Sequence, residues 1–395
     1  MALRVLMTGD AGESGFRCTV ELIGELSKRG VEVVLAIVGR PLARDQRATL
    51  AGVARFWLRE HPSTLDWTTR PWRDNEDATA WLRELEQEFA PDIVHVNEGA
   101  QANGGFRAPL VVTAHGSALA WWKATFGLPP PSEYSAHAER ITATLGLADL
   151  VIAATSTTLK SMRCDYEYRG EVRVIPHGLK ATPFSSGIKQ PFFLALAEFW
   201  DRANNFELLE RAAPRLPWRL LAAGQSGDRK RTAFWLEGIE LLGPLPKHEV
   251  LGLLSRAAVF LHPVRYDPIG LAPLEAALSG CALVLGDIPS LRECWSDCAL
   301  FVAPDDSDAL VAAANRLARD PELRAELAGS ARERARQYST TASADAHLHA
   351  YNDAIRARRG QRWPTLRSLT ERSRHQIDTS VRLLSRPPRT ERSAP

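Results

Sequence analysis

The chain has 395 residues, 45% hydrophobic and 24% charged, with a formal net charge of +2. That length exceeds one ordinary domain and points to two of about 150–200 residues, each with its own core. The near-neutral total excludes a field that would by itself demand nucleic acid, and no run reaches the roughly 18 apolar residues of a spanning helix. Five cysteines (Cys18, Cys164, Cys281, Cys294 and Cys298) form no CxxC unit, which fits free thiols in a reducing compartment rather than disulfides or zinc. The opening "MALRVLMTGD" reads as a buried strand, not a signal peptide, so the expected location is cytoplasmic.

In chain order, short apolar runs alternate with helical stretches, the pattern of parallel sheets with crossover helices. "LRVLM" (3–7) is the first strand. Gly9, Gly12 and Gly15 follow it, as a plain turn or as a loop able to approach a ligand; the spacing is not a strict dinucleotide fingerprint. A helix over 18–29 leads to "VEVVLAIV" (31–38), and one over 77–89 to "DIVHV" (92–96) and "LVVTA" (110–114). His115 stands at the end of that last strand, where ligands gather in open parallel sheets, although a lone His in such a turn is also a common structural residue. Trp121 and Trp122 suit either stacking on a ligand ring or core packing. After "LVIAA" (150–154) and "VRVI" (172–175), the Pro-, Gly- and Ser-rich stretch 176–191 reads as a linker.

A second set of strands follows: "FFLALA" (192–197), "RLLAAG" (219–224), "AVFLHP" (258–263) and "ALVLG" (282–286). Asp305, Asp306 and Ser307 offer N-caps for a helix over 308–319, with helical sequence continuing to about Arg359. Cys294 and Cys298 read as packed residues. His347 and His349 read as lying on alternate sides of a surface helix, without chemistry. The expected domains are 1–183, 184–358 with terminal helices, and a basic tail over 359–395. From Arg356 onward there are 11 Arg and no Lys against Glu371, Asp378 and Glu391, a local charge of +8. With Leu366, Leu369, Ile377, Val381 and Leu384 on one helical face, the tail suits weak contact with an anionic membrane; a solvated terminus is the plainer reading.

The chemistry concentrates in "RYDPIGLAPLEAALSG" (265–280). Pro268 fixes a turn, and a helix beginning near Gly270 points its free N–H groups, from Ile269 through Leu271, and its positive dipole end into a cleft, as suits a phosphate. Glu275 stands alone among apolar residues and requires a polar partner; a ribose diol at that depth would supply one. Asp267, ahead of the helix, is placed to reach the hydroxyls of a sugar beyond the phosphates. A helix cap plus a partly exposed Glu is the alternative.

The stretch "DPIGLAPLEAALSGCALVLGDIPSLRE" resembles the Glu-x7-Glu region of retaining GT-B glycosyltransferases, in particular glycosyltransferase family 4. "LSKRGVEVVLA", "PDIVHVN", "VVTAHGS", "ADLVIAATS", "VRVIPHG" and "FVAPDDSDALVAAANRLARDPELRAELA" extend the resemblance over roughly residues 3–355. It implies an α/β architecture of two doubly wound, Rossmann-like domains facing a cleft. It also implies transfer of a sugar, with retained configuration, from a nucleoside-diphosphate sugar to a hydroxyl acceptor that is a saccharide, lipid-linked or a small molecule. No metal and no cofactor beyond that co-substrate are implied. The resemblance puts the donor diphosphate at the helix start, its ribose on Glu275, its sugar near Asp267, and His115 beside the reacting centre.

Departures from the family pattern cluster at the donor site. Glu198 stands where the family has Arg and Asn204 where it has Lys, each change removing a charge-assisted hydrogen bond of about 1.5–3 kcal/mol. Arg202 is the nearby cation able to pair with Glu198 or replace the lost charge. Glu13 and Ser14 replace a Gly-Gly turn, and His177 and Lys180 replace Asn and Asp. Beside the transferase reading stand a catalytically silent GT-B protein partnering an active relative and, more weakly, a sugar-nucleotide epimerase.

Overall fold

The computed structural model describes residues 2–62, 72–97, 102, 104–225 and 235–360. The first half runs β1 (Arg4–Gly9), α1 (Glu13–Lys28), β2 (Glu32–Gly39), α2 (Arg44–Leu50), β3 (Phe56–Pro62) and α3 (Trp72–Phe89). It continues with β4 (Ile93–Val96), β5 (Leu110–Ala114), α4 (Ala118–Phe126), α5 (Ser135–Leu147), β6 (Leu150–Ala153), α6 (Ser156–Asp165) and β7 (Val172–Val174). The second half runs β8 (Gln190–Leu196), α7 (Phe206–Ala212), β9 (Leu220–Ala223), β10 (Trp235–Leu236), β11 (Ile239–Gly243), α8 (Lys247–Arg256) and β12 (Ala257–His262). It ends with α9 (Leu271–Leu278), β13 (Ala282–Gly286), α10 (Pro289–Trp295), β14 (Leu300–Val302), α11 (Ser307–Arg319), α12 (Pro321–Arg336) and α13 (Thr340–Arg358).

The first sheet has the order β3-β2-β1-β4-β5-β6-β7, and every pairing in it is parallel. The second has the order β10-β11-β9-β8-β12-β13-β14, parallel except where the two-residue β10 runs against β11. Strands buried on both faces read as continuous apolar runs: in β2 every position after Glu32 is buried, and β12 and β13 are buried throughout. The expected two-domain, doubly wound architecture is therefore the observed one. The order reverses between β1 and β4 in the first sheet and between β8 and β12 in the second, and the carboxyl ends at those points are where such sheets hold ligands.

Asp306 caps α11, its side chain accepting from the Ala309 N–H at 2.8 Å, as the sequence predicts. The domain boundary requires correction. α13 leaves the second domain and returns to the first, where Ala344, Ala350, Tyr351 and Ala354 share a core with Val5, Ile23 and Leu26 of β1 and α1. The stripe that docks it is small residues interspersed with His347 and Tyr351, a weak hydrophobic signal. His347 is thus buried at 4% exposure instead of lying on a surface helix. The chain crosses between domains twice, at the linker and before α13, and the two crossings touch where the Leu179 N–H bonds the Tyr338 carbonyl at 3.0 Å. Residues 361–395, with most of the Arg-rich tail, lie outside the described residues. Among the described residues no helix is long and apolar enough to cross a membrane.

Candidate functional site

The loop between β12 and α9 opens at the carboxyl end of β12, beside β8. Gly270 caps α9 with φ 71°, a left-handed conformation glycine adopts without strain. Asp267 organises the loop: Oδ1 accepts from the N–H groups of Ile269 (3.1 Å) and Gly270 (2.7 Å), and Oδ2 lies 2.9 Å from His262 Nε2. Burial would by itself raise the Asp267 pKa, but the His262 contact and the two amides outweigh it and hold the carboxyl below its ordinary range. This geometry corrects the sequence expectation: Asp267 braces the loop rather than standing open to a sugar, and the amides of Ile269 and Gly270 face Asp267 rather than a phosphate. Leu271 and Ala272 supply the next amides, and Pro273 has none.

Glu275 has the polar partners its surroundings demand. It is 5% exposed within the apolar body of α9. Arg17 from α1 and Lys247 from the first residue of α8 both pair with its Oε1, the lysine at 2.5 Å. The two cations also flank the buried Phe184 ring, 5.9 and 5.7 Å from its centroid. Sequence reading named neither one. The demand for a partner was legible at Glu275, but its supply from another domain and another helix was not.

Arg17 reaches this seat because α1 starts at Gly12, just after β1. The Asp10 carboxylate accepts from the Gly12 N–H, and a Cβ at Gly15 would lie 3.0 Å from Asp10 Oδ2. Gly12 and Gly15 therefore wrap an internal carboxylate, which gives their small size a use within the turn itself.

His115 leaves β5 on the facing wall, half-buried. Its Nε2 lies 3.2 Å from Asn97 Oδ1, and its Nδ1 lies 3.3 Å from His177 Nε2, with the two rings stacked at 5.1 Å. Asn97 Nδ2 donates to the Thr8 carbonyl at 2.7 Å, so Oδ1 is the acceptor turned to His115. It follows that His115 carries its proton on Nε2 and accepts from His177 on Nδ1. Below them, His95 lies between Tyr351 OH (2.7 Å) and Thr113 Oγ1 (2.6 Å), and His347 Nδ1 donates to the Ser343 carbonyl at 2.8 Å. Burial, reinforced by neighbouring imidazole charge, depresses the His115 pKa to about 4; burial brings His347 to about 4 as well. His95 and His177 are lowered further from the ordinary range. All four are neutral at pH 7.

The walls meet along one side. The Ser117 N–H donates to Tyr266 OH at 2.8 Å, and the backbones close at Gly116, where a Cβ would lie 2.9 Å from that hydroxyl. Glu293 of α10 accepts from the N–H groups of Ser156 and Thr157 at the start of α6, at 2.7 and 3.0 Å. Trp121 Nε1 donates to Asp201 Oδ1 at 3.1 Å, while Trp122 packs against Phe126 and Tyr134.

The loop after β8 carries the anomalous residues. Glu198 is exposed, and its carbonyl accepts from Asn204 Nδ2 at 2.8 Å, so the Asn204 amide braces the loop. Arg202 meets Glu207 at 3.7 Å and lies over the Phe126 ring at 5.3 Å. Asp267, Gly270, Leu271 and Glu275 thus share one loop and helix, which the segment after His115 meets through Ser117 and Tyr266, while Arg202 and Asn204 turn to partners of their own. Among the described residues no three His, Cys, Asp or Glu converge as metal ligands.

Comparison with known proteins agrees with this architecture. The family model described as Glycosyltransferase Family 4 matches residues 16–182, and that described as Glycosyl transferases group 1 matches residues 190–320. Glycogen synthase of Mycobacterium tuberculosis is 33% identical over 142 residues, 35% of this chain and 33% of that protein. The chain therefore spans about a third of that relative's length. Sucrose-phosphate synthase from Thermosynechococcus elongatus superposes with a TM-score of 0.73 at 19% identity, covering 90% of this chain and 100% of that one. Anabaena HepE, solved with UDP and glucose, gives 0.69 at 13% identity, covering 89% and 99%.

Proposed function

We infer a function from the premise that this chain belongs to glycosyltransferase family 4 and has the GT-B fold. It moves a sugar from a nucleoside-diphosphate sugar to a hydroxyl acceptor with retention of configuration. The observation carrying this reading is the seat at α9. Glu275 offers Oε2 to a ribose diol while Arg17 and Lys247 occupy Oε1, and a helix N-terminus lies about 7 Å away along the axis, at 1.5 Å per residue.

The donor's phosphates meet the Leu271 and Ala272 amides and the dipole end of α9, which favour the negative charge that grows as the glycosidic bond breaks. Asp267, held by His262, keeps those amides aimed. His115, neutral with Nε2–H toward Asn97, lines the opposite wall, where a charged side chain would distort the field at the reacting carbon. The acceptor hydroxyl enters between the walls and bonds to the anomeric carbon on the face from which the diphosphate leaves, its proton passing to the departing phosphate oxygen.

Incubation with a panel of nucleotide sugars, scored by melting temperature and by release of nucleoside diphosphate in the presence of sugar, lipid-linked and small-molecule alcohols, tests this. Stabilisation by one donor and acceptor-dependent release with retained anomeric configuration is the expected result. Binding without release under any acceptor points to a silent partner protein; no binding at all rejects the donor site.

A further inference from the structure

We propose that the groove between the edge of the first sheet and the end of α3 is a second carbohydrate site, which holds a neutral saccharide away from the cleft. Strand alternation builds it. Arg4 of β1 pairs with Glu32 of β2, and Val34 of β2 with Trp57 of β3, so in parallel register Arg4, Glu32, Trp57 and Arg59 share one face of the sheet. The last turn of α3 brings Glu88 and Phe89 against that face, and the space between has a volume of about 360 Å³, within the range of small-molecule sites.

The lining selects its ligand. β3 packs Phe56 and Leu58 against the core, which leaves Trp57 on the outward phase of an edge strand at 43% exposure. Its ring meets Phe89 at 5.6 Å and 61°, an edge contact, while the Phe89 ring is covered by Arg4 at 4.2 Å. Trp57 is thus the open aromatic of the groove. Around it stand two ion pairs, Arg4 with Glu32 at 3.7 Å and Arg59 with Glu88 at 3.3 Å. Both are loose beside the 2.6 Å pairs of Lys28 with Glu25 and Arg292 with Asp287. Among the described lining residues the formal charges cancel, so neither an anion nor a cation gains by entering. A sugar hydroxyl both donates and accepts, and so bonds a guanidinium and a carboxylate together. The C–H face of a pyranose ring buries against the indole.

The groove lies at the amino ends of the strands, and the sheet holds ligands at the carboxyl ends. The eight-residue β2 separates the two by about 25 Å at 3.3 Å per residue. The sugar held here is therefore not the one transferred. On the transferase reading it belongs to a saccharide acceptor or product, remote from the reacting end; the binding itself does not depend on that reading.

The test is calorimetric titration of the full chain with maltohexaose, cellohexaose, mannohexaose and galactohexaose. Trp57→Ala should weaken the tightest binder about 10-fold or more, Glu88→Gln about 3- to 10-fold, and Trp57→Phe less than about 3-fold. Undiminished affinity in a folded Trp57→Ala protein overturns the proposal, as does failure of all four sugars to bind at millimolar concentration. If the variants melt early, amide exchange of the wild type decides: bound sugar should slow exchange in β3 and at the end of α3. Protection around His115 or the start of α9 instead would put the sugar in the cleft and overturn the site. Self-association that Trp57→Ala abolishes would give the groove to a second copy of the chain, with the same consequence. Nucleotide binding is not read in these titrations, so the donor-site reading and this one fail separately.

Discussion

The two walls of the cleft solve the problem of buried polar groups in different ways. On the first-domain wall, His95, His115, His177 and His347 are kept neutral, and the hydrogen-bonding partners of Asn97, Thr113, Ser343 and Tyr351 make that tolerable. On the second-domain wall the groups stay charged and are paired: Asp267 with His262 and two amides, Glu275 with Arg17 and Lys247. A neutral network avoids the cost of burying charge but offers an anion no attraction, whereas a paired seat is costly to desolvate and keeps a strong local field. Under the proposed function, the anionic part of the donor belongs to the second wall and the reacting hydroxyl to the first.

The strongest way to break the contrast is to remove its charged centre. Glu275→Gln leaves two cations facing each other at a buried site. Truncating one member of a buried pair costs about 3–5 kcal/mol, and the partial exposure of both cations reduces this to about 2–3 kcal/mol. Urea unfolding measures it, and a loss below about 0.5 kcal/mol would mean the seat is not a seat. Nucleotide affinity should fall in the same variant.

Acid probes the neutral wall. His115 and His347 titrate near 4 in the folded chain against 6.5 unfolded, so below pH 6.5 the unfolded chain binds more protons. Stability should therefore be complete above about pH 6.5 and fall progressively down to about pH 4. Asp267, depressed in the folded state, adds a loss only at the acid end of that range and below. Melting temperatures across this range check the sign, and a flat profile would mean the imidazoles are not held neutral. His347→Gln should shallow the slope.

Smaller effects sharpen the division of labour. Asp267→Asn should cost about 1–2 kcal/mol through the weakened His262 and amide contacts, visible by thermal melting, with nucleotide affinity reduced because the loop amides lose their aim. His115→Ala should lower turnover while leaving nucleotide affinity within about 2-fold, since it stands on the other wall. Smallest of all, Glu198→Arg combined with Asn204→Lys should change diphosphate affinity less than about 3-fold. A gain beyond 10-fold would mean that this loop faces the donor phosphates.

Much of this was readable in the chain because buried parallel strands are written as uninterrupted apolar runs, and "LVVTA" and "ALVLG" coincide with β5 and β13. What escaped carried weaker writing. β3 mixes Arg59, Glu60 and His61 into an edge strand, and β14 is three residues long. α13 docks through alanines, His347 and Tyr351, which no hydrophobic stripe announces. At the site, Glu275 was conspicuous because an isolated acid in an apolar helix needs a partner. That partner belongs to tertiary structure, as does the turning inward of Asp267 onto its own loop. The departures at Glu198 and Asn204 were legible as missing charge, whereas the cations beside Glu275 become visible only once α1 and α8 converge on α9.

The measurement that bears most directly on the division between the walls is amide hydrogen exchange on the full chain, with and without the tightest-binding nucleoside diphosphate. Protection should appear at the start of α9, around Lys247 and in the first turns of α1, with the segments around His95 and His115 changed little. Protection confined to the first-domain wall, with the α9 start and Lys247 exchanging as before, would contradict the account.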